Sequence, residues 1–218
     1  MDNYITASDM NDPSRQSEDE FEDDPHNQLS FDAPAIFRQL QIVVSETDAA
    51  YIGRAYALSA LSGGLNEWPV IREAGASHNP KPARLLHILL NEGKVKDREI
   101  LCAAVLACAT RLTAKQGIDF GMAYSLAERS LEVQAEEAIV SLKTDHRLAY
   151  LYLARKLDEI RHLHMTILSR AERKKTVDQL ALKVIPELQK QPNTCEGLKR
   201  LLELVSAAAE RFNRTHGF

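Results

Sequence analysis

Four residues of one short stretch have the types and spacing for chemistry: Arg155, Asp158, Glu159 and His162, within LAYLYLARKLDEIRHLHMTIL, residues 148–168. On an α-helix Asp158 and His162 stand at i and i+4 on one face, where a carboxylate and an imidazole can share a divalent cation. A metal site needs further donors from elsewhere in the chain, and the same spacing also makes plain intrahelical ion pairs. Arg155 with Glu159 and Asp158 with His162 are such pairs, each worth about 0.2–0.5 kcal/mol on a solvated surface, and the spacing favours that reading. His164 belongs to a different stripe, with Leu153, Leu157, Ile160 and Ile167, and is expected to be a hydrogen-bonded core histidine.

Other sources of chemistry are few. The chain has no Walker loop, GxGxxG, HExxH or GxSxG pattern, so P-loop hydrolysis, dinucleotide binding, zincin chemistry and serine hydrolysis have no support. Its three cysteines, Cys102, Cys108 and Cys195, are an odd number without CxxC spacing and suggest neither a disulfide framework nor a zinc knuckle. The cluster Arg170, Arg173, Lys174 and Lys175 has the charge to touch phosphates, but in the first turns of a helix it reads first as a solvated face.

The elements that position these residues are helical. DREILCAAVLACATRL, residues 97–112, carries no charge from Ile100 to Ala109 and must be buried on every side. That run is about half of the roughly 20 residues a bilayer span requires, so it predicts the central helix of a soluble core. Its Ala and Cys residues, Cys102 and Cys108 among them, let neighbouring helices approach closely. Helices are also predicted from Ala33, over Glu46 to Leu61 with Gly63-Gly64 as the stop, and from Pro82 to a Gly93 cap. Further helices are expected over about Asp119 to Lys143, from Asp145 to about Leu168, and from a Ser169/Glu172 capping box through Val177, Leu180, Val184 and Leu188, although Pro186 should kink or end that helix. The last follows Thr194 and carries the stripe Leu198, Leu201, Leu202, Val205, Ala209 and Phe212. No strand pattern appears. The fold class predicted is all-α, a single globular domain of about eight helices over 33–218.

Residues 1–32 hold ten Asp or Glu against Arg15, a formal −9 in a chain of −4, so the remainder carries +5. Such an acidic, weakly hydrophobic segment predicts a disordered tail, an aid to solubility or a competitor for a basic patch on the body. A body this mildly basic makes nucleic acid an unexpected partner, and no membrane partner is expected either. The start MDNYITASDMNDPSRQSEDE lacks the basic and apolar regions of a signal peptide, so a cytoplasmic location is expected.

Three features recur in a set order. A His stands in a Pro-containing loop before an apolar helix in SHNPKPARLLHILLNEG, residues 77–93. DREILCAAVLACATRL follows, and later comes LARKLDEIRHL, residues 153–163, with ERKKTVDQLALKVIPEL, residues 172–188, behind it. This order resembles the metal-dependent HD-domain phosphohydrolases, and in particular the guanosine polyphosphate (ppGpp) hydrolase domains of the Rel/Spo type. The likeness covers about Ala74 to Gln191. In that family an early His, an adjacent His-Asp pair and a later Asp hold the metal that activates water. Here His78 stands near the early position, the His-Asp pair falls on Ala107 and Cys108, and the later Asp falls on Arg155. The acidic pair that follows falls near Arg111 and Leu112, and the nucleotide-contacting Asn falls on Glu159. Lys156 and Arg161 match the pattern.

The resemblance therefore implies an HD-like domain without the family's catalytic residues, metal or any other cofactor. It would serve as a regulatory or binding module for a protein partner or a phosphorylated nucleotide, with His78, Lys156 and Arg161 as candidate ligand-binding residues. A second reading is a phosphohydrolase acting on guanosine polyphosphates through a site rearranged from His78, His87, Asp158 or His162. A third is a structural helical interaction protein unrelated to HD enzymes.

Overall fold

The central apolar run folds as expected into a helix with every residue from Ile100 to Leu106 buried. The computed structural model describes residues 33–61, 81–109, 117–133, 138–163, 168–190 and 195–215. Among them all regular structure is helical. In chain order the helices are α1 (Ala33–Val43), α2 (Glu46–Leu61), α3 (Lys81–His87), α4 (Arg98–Leu106), α5 (Gly121–Glu132), α6 (Ala138–Thr144), α7 (His146–Arg161), α8 (Arg170–Gln179), α9 (Ile185–Gln189) and α10 (Glu196–Thr215). The acidic segment 1–32, the Gly63-Gly64 stop, His78, His164 and Thr194 lie outside the described residues.

Asp97 starts α4 by accepting the amide protons of Glu99 at 2.8 Å and Ile100 at 3.3 Å, two of the donors that a helix start leaves without partners. The helix is shorter than its apolar run. It ends at Leu106, where Cys108 N–H turns back to Val105 O and Ala109 N–H to Leu106 O, the tightened last turn common at helix ends. With α2 on one flank, α5 on another, and α3 and α7 packed around it, α4 forms the middle of the core.

Two helices run longer than α-geometry alone would carry them. α3 passes into a π-helical segment, Ile88–Glu92, before the Gly93 cap. α8 passes through a second, Leu180–Val184, into α9, whose first turn holds Pro186. A proline lacks its N–H and clashes with the carbonyl four residues back, and the wider π-turn accommodates both defects. The helical path does not end at Pro186 but continues to Gln189, with the π-helical segment directly before the proline. The expected run from Asp119 to Lys143 is instead divided between α5 and α6. Val133 leaves helical geometry at φ −74°, ψ 72° and buries its side chain. α7 ends at Arg161 rather than Leu168, with His162 as its C-cap.

α10 buries the whole predicted stripe, from Leu198 to Phe212, chiefly against α7. Its first turn approaches the end of the α3 rod so closely that a Cβ on Gly197 would overlap the carbonyl oxygen of Gly93 and stand 2.6 Å from the Tyr150 hydroxyl. That hydroxyl lies 3.0 Å from Cys195 Sγ.

Candidate functional site

The polar side chains of α7 meet α3 and the end of α4. Asp145 caps α7 by accepting the Arg147 amide proton at 3.0 Å, and three helical turns later Arg155, Lys156, Asp158, Glu159, Arg161 and His162 follow in close succession. Lys81 and Arg84 come from α3, and Ala107 and Cys108 from the C-terminus of α4.

Asp158 corrects the expectation of a solvated pair. It is 2% exposed, and Arg84, 17% exposed, holds it bidentately, Nε to Oδ1 at 2.6 Å and Nη2 to Oδ2 at 3.0 Å. Burial of the carboxylate requires such a partner, because an unpaired charge in the interior costs several kcal/mol. His162 is secondary in this arrangement. Its Nδ1 lies 2.8 Å from the Asp158 carbonyl oxygen and 3.4 Å from Oδ1. Burial pushes the His162 pKa below its ordinary value even though Asp158 pulls the other way.

The second expected pair, Arg155 with Glu159, is not formed. Glu159 pairs with Lys156 at 2.6 Å, and Lys156 Nζ also stands 5.8 Å from the centre of the Tyr152 ring. Arg155 reaches across to α5, where Nη1 donates to the Ser130 carbonyl at 2.7 Å. Lys156 and Arg161, the candidate ligand-binding residues on α7, are both in ion pairs. Arg161 holds Glu92 through two bonds of 2.7 and 2.8 Å.

Cys108 is 1% exposed, and its S–H donates to Ala104 O at 3.4 Å. Burial raises its pKa to about 12, with Asp158 adding to the rise and Lys81, Arg155 and Arg84 opposing it. Cys102 is likewise raised to about 12 by burial and by Glu99. Both are core residues, as their place in the apolar run predicts.

Ala107, Cys108 and Arg155 do not make a donor set for a divalent metal. Ala107 has no donor atom, and the Cys108 sulfur is buried with its S–H directed to Ala104 O. Arg155 carries a fixed positive charge. The alternative donors are not assembled either. His87 Nδ1 is 2.8 Å from Asn91 Nδ2, which also bonds Gln39, and Asp158 is taken by Arg84. Among the described residues no three His, Cys, Asp or Glu side chains converge as a metal site.

Two residues of the basic cluster at the start of α8 have partners close in sequence. Arg173 Nε donates to Leu168 O at 2.9 Å and Lys174 pairs with Asp178 at 3.2 Å. Arg84 and Glu92 are the residues that sequence reasoning missed. Their partners lie 74 and 69 positions away, and no local spacing announces them.

No protein-family model matches the chain, and neither a curated protein nor a solved structure does. No helix among the described residues is long and apolar enough to cross a membrane.

Proposed function

We propose that the chain is a non-catalytic HD-like helical domain of the cytoplasm, a regulatory or binding module for a protein partner or a phosphorylated nucleotide. The observation that carries this reading is the set of side chains where the end of α4 meets α7. A metal-dependent hydrolase needs deprotonated carboxylate and neutral imidazole at such a junction. Here an alanine, a protonated buried thiol and a guanidinium occupy it, and the nearest carboxylate, Asp158, is closed off by Arg84.

Two measurements test the reading. Metal analysis of full-length protein purified without chelator should find no stoichiometric metal, and one tightly held Mn²⁺, Fe²⁺ or Zn²⁺ per chain would contradict it. Incubation of ppGpp with the protein and added Mn²⁺ should release no pyrophosphate over hours. Turnover there would favour the hydrolase with a rearranged site.

A further inference from the structure

The outer face of α8 breaks a local rule. Arg170, Arg173, Lys174 and Lys175 stand in its first two turns, where the helix macrodipole favours acidic side chains, and the acid placed there, Glu172, is held in the capping box with Ser169. Cations at this end gain nothing from the helix itself, so an anion brought from outside would satisfy both the side chains and the dipole. The helix and its π-helical continuation bury Val177, Leu180 and Val184 on the inner side. On the other side Ala171, Lys174, Lys175, Asp178, Leu182 and Lys183 recur at helical spacing and line a groove of about 490 Å³.

The chemistry of the groove selects its occupant. Its charged side chains are three lysines and Asp178, which pairs with Lys174 at 3.2 Å. Lys175 and Lys183 are exposed and eight positions apart in sequence, about 12 Å at 1.5 Å per helical residue. Carboxylates spaced along a peptide match that separation without drawing the two side chains together. Leu182, 74% exposed, adds beside Lys183 an apolar contact for which a bare polyanion has no counterpart.

We propose that this groove receives an acidic, amphipathic segment of a protein partner, with carboxylates on Lys175 and Lys183 and an apolar side chain on Leu182. The proposal rests on the binding-module reading and narrows it to a protein partner. The segment lies along the groove, where the charges set its orientation and speed its association and Leu182 contributes apolar burial.

Selection of random-sequence peptides of about a dozen residues on immobilised full-length protein, followed by fluorescence anisotropy of the labelled winners, tests it. The winners should be acidic with at least one large apolar residue, and their affinity should fall as salt rises. Reversing both charges, with Lys175→Glu and Lys183→Glu in one protein, should weaken binding about tenfold or more, and Leu182→Ala should weaken it about threefold to tenfold. All three positions are exposed, so the variants should keep the fold, and Arg38→Glu, a charge reversal on the exposed side of α1, should bind like wild type. No enrichment, winners without acidic residues, or unchanged affinity in the doubly reversed protein would overturn the proposal. So would anionic vesicles or an oligonucleotide that bind more tightly than any winner and lose binding in the same variants, because the face would then belong to a membrane or a nucleic acid. Turnover of ppGpp would refute the non-catalytic reading alone, since peptide affinity is read separately.

Discussion

Removing Arg84 without removing Asp158 should be among the most damaging single changes on the polar side of the core. Arg84→Met keeps most of the side-chain volume and deletes both bonds to a carboxylate that is 2% exposed. His162 is a poor replacement, because its Nδ1 is 3.4 Å from Oδ1 and burial disfavours its protonation. Breaking one half of a buried pair costs about 3–5 kcal/mol, a large share of the roughly 5–15 kcal/mol that stabilises a domain. At about 2–4 °C per kcal/mol for a domain of this size, the melting temperature should drop by roughly 6–20 °C. Removing both partners leaves no stranded charge, so Arg84→Met with Asp158→Leu should cost far less than the sum of the single changes. The coupling should be about 2–4 kcal/mol. Urea unfolding at pH 7 followed by circular dichroism measures all four proteins, with equal denaturant slopes showing that the states compared are the same. A loss under about 1 kcal/mol for Arg84→Met, or additive losses in the double variant, would refute the account of Asp158 as a charge kept by its partner.

Other consequences follow from the same structure. The folded His162 pKa lies below the ordinary 6.5, so beneath that pH the unfolded chain binds more protons and stability falls as pH falls. His162→Gln should flatten the fall in urea midpoint between pH 7 and pH 5, and an unchanged slope would show that another group governs it. Gly197→Ala should destabilise by about 1–3 kcal/mol, because the methyl group meets the backbone of Gly93 rather than a side chain that can move. Thermal unfolding reads this directly, and an unchanged melting temperature would contradict it. Iodoacetamide followed by mass spectrometry should add one label to the native protein, at exposed Cys195, and three in urea, since Cys102 and Cys108 are buried thiols with pKa values near 12. Rapid native labelling of either would show that the core opens. Ser169→Ala removes the reciprocal capping box with Glu172 and should cost about 1 kcal/mol, measured by the urea midpoint.

Much of the architecture was legible because it depends on local rules. An uncharged run with an aspartate before it predicts a buried, capped α4, and the Ser169/Glu172 spacing predicts the start of α8. The stripe of α10 predicts which of its residues are buried, and all six are. What was not legible depends on partners distant in sequence. The i, i+4 spacing of Asp158 and His162 looks the same whether the carboxylate faces water or Arg84, and only tertiary packing decides between them. The break at Val133 carries no Gly or Pro, and no residue pattern marks the π-helical segment before Pro186. Within the candidate site, helical spacing paired Arg155 with Glu159, which instead go to Ser130 and Lys156, and it paired Asp158 with His162 without announcing Arg84.

The two ion pairs that join the α3 rod to α7 have opposite polarity. At the start of the rod the cation is on α3 and the anion on α7, Arg84 with Asp158. At its end the anion is on the rod and the cation on α7, Glu92 with Arg161. If the rod packed in the reverse direction, Arg84 would face Arg161 and Glu92 would face Asp158, two like-charge contacts away from water. Apolar burial is non-directional and sets no polarity of its own. The charges give the rod a direction, and they penalise the compact misfold that its apolar face would otherwise allow.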